Sequence, residues 1–143
     1  MYGSQKQADP EEFAQYLAAM CYSKRNKVDP FFVEGILAGV KNGVKTLTMV
    51  DLYGSKYSDK YLTTSFSRSI ATPIIDASYN EDMTANQIKL ILVDCFKAIL
   101  ARHKNMTNNL VFILVTENGI YEEKEKIEVK FDYEGFKNRP DLF

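Results

Sequence analysis

Residues 29–66 read DPFFVEGILAGVKNGVKTLTMVDLYGSKYSDKYLTTSF, and no other stretch limits the fold so tightly, because its turn chemistry dictates three antiparallel strands. Residues 32–40 are largely apolar and rich in β-formers. Asn42-Gly43 then supplies two residues that accept positive φ, as a two-residue hairpin turn demands. Beyond the turn Val44, Thr46, Thr48 and Val50 alternate with Lys45, Leu47 and Met49, the period of a strand. Residues 51–54 close a second turn with Asp51 placed to cap it, and residues 57–66 are expected to return as a third strand that leads into Ser67-Arg68-Ser69 and a helix.

The flanks read as helices and a second sheet. Before the block, Asp9 can cap a helix with Pro10 at its first position and Glu12 closing a capping box. Phe13, Tyr16, Leu17 and Met20 are expected to form its buried face, and Lys24 and Arg25 complement its C-terminal dipole. Asp29-Pro30 forces the chain to extend. After the block a helix is expected from near Ser67 to about Ala77, with Pro73 tolerated only in its opening turns. A longer helix opens on a Thr84–Gln87 capping box, buries Ile88, Ile91, Leu92, Cys95, Phe96 and Ile99, and ends near Lys104. Residues 110–116 are continuously apolar, which predicts a strand buried on both faces. Glu117-Asn118-Gly119 turns it back into Ile120 and Tyr121. Residues 122–126, EEKEK, are expected to be a solvated turn. Ile127, Val129 and Phe131 then alternate with Glu128 and Lys130 as a last half-exposed strand.

Three parts follow: a loose polar N-terminus at residues 1–8, a folded body at 9–131 and a tail at 132–143. The tail has no periodicity yet carries Tyr133, Phe136, Leu142 and Phe143, too few for a core of their own, so a partner surface is expected to cover them.

Composition closes off several classes of function. Lys and Arg number 18 against 19 Asp and Glu, a net charge of -1, and no basic stripe interleaves with aromatics, so nucleic acid is not an expected partner. No apolar run reaches a membrane span and the first residues lack a signal-peptide core, which predicts a cytoplasmic and nuclear chain without a membrane partner. Cys21 and Cys95 fall in expected helices and read as core thiols rather than a disulfide. Without a paired Cys-x-x-Cys, a His-rich ligand set or a Gly-rich phosphate loop, no metal or other cofactor is expected.

The order strand, Asn42-Gly43, strand ending in Val50-Asp51, Tyr53-Gly54 turn, strand, helix resembles the middle of a proteasome β subunit. Residues 21–27, CYSKRNK, are similar to the basic end of the helix before those strands in the type-4, seventh-position members of the β ring. Ala71-Thr72-Pro73-Ile74-Ile75 resembles the first turns of the family's next helix, and residues 115–120, VTENGI, the turn between two late strands. The likeness runs from about residue 9 to about 129. It implies an α+β fold: a four-layer α-β-β-α sandwich of the N-terminal-nucleophile hydrolase type with two antiparallel sheets, here N-terminally incomplete and comparable to the C-terminal two-thirds of a subunit. It also implies a non-catalytic structural subunit of the 20S proteasome core particle, with the other α and β subunits as partners in ATP- and ubiquitin-dependent protein degradation. In the family the matching tail reaches neighbours in the opposing ring.

The resemblance further implies that the chain is no enzyme. Such a hydrolase uses a processed N-terminal threonine, serine or cysteine whose own amine is the base. Ser4 follows Gly3 but leads into a polar stretch and a helix, not a strand. Where proteolytic subunits carry Gly-Ser-Gly this chain has Ser65-Phe66-Ser67, and where they carry His-Arg-Asp followed by Ser-Gly-Gly it has residues 102–109, RHKNMTNN, with Thr107 the one hydroxyl. His103 is expected to be structural, at a helix C-terminus. Two other readings stand beside this one: an active threonine peptidase subunit whose nucleophile lies on an absent N-terminal segment, and a free-standing dimeric binding module whose open strand edges are paired.

Overall fold

The computed structural model describes residues 9–103 and 105–129. They form two compact units, one gathering the chain up to Arg68 with Ile113–Tyr121, the other Ser69–Phe112 with the chain from Glu122. Helix α1 (Pro10–Asn26), strands β1 (Gly35–Lys41), β2 (Val44–Val50) and β3 (Lys56–Ser58), helices α2 (Arg68–Ser78) and α3 (Ala85–Arg102), and strands β4 (Asn109–Thr116) and β5 (Gly119–Lys126) follow in that order. The class is α+β with two antiparallel sheets, β1-β2-β3 and β4-β5.

In the first unit α1 begins as its cap predicts. The Asp9 carboxylate accepts from the Glu11 N–H at 3.1 Å and Glu12 returns to the Asp9 N–H, a complete capping box. Asn42 and Gly43 take φ of 51° and 77°, the mirror-image turn whose twist suits a hairpin, and β1 pairs with β2 from Gly35↔Val50 to Lys41↔Val44. The helix covers one face of this sheet through Ala14, Ala18 and Cys21 against Val50, with Leu17 and Leu37 at the margin. Phe13 and Tyr16, expected in that face, are exposed instead. The periodicity fits both stripes, which lie about 100° apart on a helix; close approach decides between them. A Cβ on Gly54 would lie 2.6 Å from the Ala18 carbonyl oxygen, so backbone meets backbone here and only small residues fit between.

Two strand ends differ from expectation. Strand β1 starts at Gly35 rather than residue 32 because Val33 donates its N–H to Phe31 O at 2.8 Å, a tight turn that removes both from the ladder. Strand β3 stops at Ser58 and does not run to residue 66. The Asp59 carboxylate takes the Lys60 N–H at 2.7 Å, and a side-chain acceptor of this kind competes with sheet bonding.

The second unit holds α2 and α3. Ala71 and Ile75 of α2 and Cys95, Ile99 and Leu100 of α3 are buried, and the Cys95 thiol faces the Ala71 carbonyl oxygen at 3.8 Å. Thr84 caps α3 and Gln87 completes its capping box. Both cysteines are buried and free.

The β4–β5 hairpin corrects two further expectations. Val111 and Ile113 on one face of β4 and Leu114 on the other are exposed while Leu110 is buried, so the strand is not buried on both faces. Residues 122–126 are strand, not turn. Alternation explains it: Glu123 and Glu125 share one face and both pair with Lys89, at 2.7 and 2.9 Å. Of the last expected strand, Ile127 is buried, residues 127–129 carry no strand, and Phe131 lies outside the described residues.

Candidate functional site

The site positions singled out by the sequence fall in two places, and a cleft adds a third. The first is the Ser65–Ser67 segment, a single 3-10 turn before α2. Ser65 takes φ 55° and donates its N–H to Glu34 Oε2 at 2.7 Å, while the Ser67 hydroxyl donates to Thr64 O at 2.5 Å. Phe66 between them is half exposed and has no hydroxyl to offer. Arg68 locks the turn: it pairs with Glu34, donates Nε–H to Thr63 O at 3.2 Å and lies 3.5 Å from Met49 Sδ.

Met49 is fully buried on the sheet face opposite α1, where Tyr57, its partner in register, donates Oη–H to its sulfur at 2.8 Å. Sequence reading passed over Glu34 and Arg68. The signal was a lone carboxylate between apolar residues 31–33 and the strand, which a packed segment keeps only when the charge is partnered.

The second place is the C-terminal end of α3. His103 is the C-cap and its N–H donates to Ile99 O at 2.8 Å, the structural position its sequence context suggested. Thr107 Oγ1 accepts from the Asn109 N–H at 3.2 Å and so shapes the approach to β4. Lys104 lies outside the described residues, as do Ser4 and the tail side chains Tyr133, Phe136, Leu142 and Phe143.

The third is a cleft of about 520 Å³ in the first unit, between the edge of β1 at Ala38 and Val40 and the hairpin tip at Val115, Thr116 and Ile120. Glu117 at its rim accepts the Gly43 N–H. Asp51 does what a turn-capping aspartate should: Oδ1 accepts from Tyr53 and Ser55, both at 2.9 Å.

The groups whose titration is shifted belong to a helix cap, an ion pair and the core. The hydrogen bond from Lys41, and then that from the Glu11 backbone, hold the Asp9 carboxyl below its ordinary range. Hydrogen bonds to Glu123 and Glu125 hold the Lys89 ammonium above its own. Burial, helped by Asp94, pushes the Cys95 thiol up. That keeps it neutral and unreactive. Among the described residues no group of three or more His, Cys, Asp or Glu side chains could hold a metal ion, and no helix is long and apolar enough to cross a membrane.

Comparison with known proteins gives these places their context. The family model described as "Proteasome subunit" matches residues 2–115. The chain is 28% identical over 130 residues to proteasome subunit beta type-4 of Arabidopsis thaliana, covering 90% of this chain and 53% of that protein. It is 31% identical over 116 residues to proteasome subunit beta 2 of Pyrobaculum calidifontis, covering 81% and 56%. With proteasome subunit beta type-4 of Dictyostelium discoideum it shares 30% identity over 112 residues, 77% of this chain and 43% of that one. The chain spans about half the length of the curated relatives it matches. One expectation is thereby corrected. The reading of the chain as no enzyme gives way, because its relatives are β subunits of a peptidase complex, and motif differences at Phe66 and residue 104 do not outweigh that kinship.

Proposed function

The chain belongs to the proteasome subunit family as a β subunit, and from that premise we propose that it fills a type-4 position in the β ring of a 20S core particle. There it works through contacts with neighbouring α and β subunits, and so contributes to ATP- and ubiquitin-dependent protein degradation in the cytoplasm and nucleus. The observation that carries the reading is the recurrence of beta type-4 proteins from a plant, a slime mould and a fly among its relatives. The tail residues Tyr133, Phe136, Leu142 and Phe143 are the side chains we assign to contacts between subunits.

The test is incorporation. The tagged full chain, expressed in cells and recovered by affinity, is expected to bring down α and β subunits and to sediment with the 20S particle. Recovery alone, or only as small oligomers, would refute the reading. Replacing Phe136 and Leu142 by alanine is expected to lower the incorporated fraction. A second reading, an active threonine peptidase subunit, draws on the kinship with a peptidase complex, and covalent threonine-directed probes applied to purified particles decide it by whether this chain is labelled.

A further inference from the structure

Two glycines of the chain follow an asparagine, in Asn42-Gly43 and Asn118-Gly119. Such a pair carries covalent chemistry of its own. The glycine nitrogen can attack Cγ of the asparagine side chain, since the glycine has no Cβ to obstruct it. The nitrogen gives up its proton, the new N–Cγ bond closes a succinimide ring, and the side-chain nitrogen leaves as ammonia. Water then adds to one of the two ring carbonyls and breaks its bond to the ring nitrogen, which leaves aspartate or isoaspartate. Ring closure has two requirements: the glycine nitrogen must lose its proton, and the asparagine Cβ must lie on the same side as that nitrogen.

Around Asn42 the fold opposes both. Asn42 takes φ 51° in the β1–β2 turn. In the left-handed region, with ψ of about 47°, the Cβ of an L-residue stands anti to the following nitrogen. The Gly43 N–H, in turn, is donated to Glu117 Oε1 at the tip of the β4–β5 hairpin, a contact within the first unit. A carboxylate that accepts this hydrogen bond keeps the proton in place, and its charge disfavours the amide anion that attack needs. Asn118 takes no left-handed φ, so the twin pair is a reference inside the same chain. Asn42, Gly43 and Glu117 are exposed, and water, the co-reactant, reaches them.

We propose that Asn42 is a gated deamidation site and that Glu117 is its gate, a positioning residue that acts through the Gly43 N–H. While the contact holds, the amide is preserved. Once the hairpin tip leaves Gly43 the turn relaxes, the succinimide forms, and a carboxylate replaces the Asn42 amide. The change runs one way. The new charge shares a cleft with Glu117, where like charges repel, and isoaspartate adds a backbone carbon to a turn that the Lys41↔Val44 pairing limits to two residues. Asn42 thus keeps a covalent record of whether the tip has stayed docked. The inference does not depend on the subunit reading.

The test holds the purified full chain at mildly alkaline pH, native and in urea, and follows both asparagines by peptide mapping with mass spectrometry. Native Asn42 is expected to convert about tenfold or more slowly than Asn42 in urea. Glu117→Ala is expected to raise the native rate at Asn42 about fivefold or more, and that at Asn118 less than about twofold. Asn42→Asp, which mimics one product, is expected to speed amide exchange at Gly43 about fivefold. The assignment is overturned by equal rates at Asn42 with and without urea, by no acceleration there in Glu117→Ala, by an acceleration that Asn118 shares equally, or by unchanged Gly43 exchange in Asn42→Asp. Should Glu117→Ala lose its circular dichroism, the urea comparison and Asn42→Asp decide. None of these readouts involves other proteasome subunits, so incorporation can succeed or fail independently.

Discussion

Single residues set where the two long helices begin. Asp9 with Glu12 and Thr84 with Gln87 form the boxes their spacing announces, because a cap is satisfied within its own turn whatever lies beyond it. Thr84→Ala should accordingly cost about 1 kcal/mol, measured as a lower urea midpoint with an unchanged slope. The buried stripe of α1 was misplaced, because its choice rests on a turn some thirty residues away. Gly54, at φ 81°, has no room for a side chain against Ala18 and Tyr22. Gly54→Ala combines backbone strain with that collision, and a loss of about 1–3 kcal/mol is expected in equilibrium unfolding. A change below a few tenths of a kcal/mol would mean that the helix stands farther from the turn than described.

At the scale of elements, strands were read well where a turn fixes them and poorly where a charge intervenes. Strand β2 runs as its alternation predicts, Thr48 and Val50 toward α1 and Met49 away from it, and the Thr48 hydroxyl meets that of Ser58 at 2.7 Å across the β2–β3 pair. Residues 122–126 looked like solvent-facing turn since charge and strand are rarely read together. One lysine from α3 makes the difference, collecting both carboxylates of a single face. Met49 joins β2, β3 and Arg68 by one sulfur, and Glu34 joins the β1 approach to the turn before α2. Met49→Ala should therefore cost about 2–5 kcal/mol as a core truncation, whereas Tyr57→Phe, which keeps the ring and removes one hydrogen bond, should cost about 1 kcal/mol. If the two variants unfold at the same denaturant concentration, the sulfur is not the centre of that packing.

At the scale of the whole molecule, family membership was legible in the order of turns, strands and helices, at identities near 30% to the matched relatives, while the tail expected to meet partners falls outside the described residues. The pH dependence of stability belongs to this scale, since it sums groups in both units. The Asp9 carboxyl titrates lower in the fold than in the unfolded chain, so its contribution is complete above the unfolded value and fades as pH falls through the folded one. The Lys89 ammonium is shifted up, so its contribution is complete below the ordinary lysine value and is lost as pH rises through the folded value. The Cys95 thiol, held neutral by burial, adds to the alkaline loss, because the unfolded chain ionises first. Melting temperature should thus form a plateau around neutrality with a decline at each extreme. Asp9→Asn should flatten the acid limb alone and Lys89→Gln the alkaline limb alone. Both pairs are solvent-facing, so added salt should shrink these differences while leaving the plateau. An acid limb unchanged in Asp9→Asn at low salt would place the controlling carboxylate elsewhere.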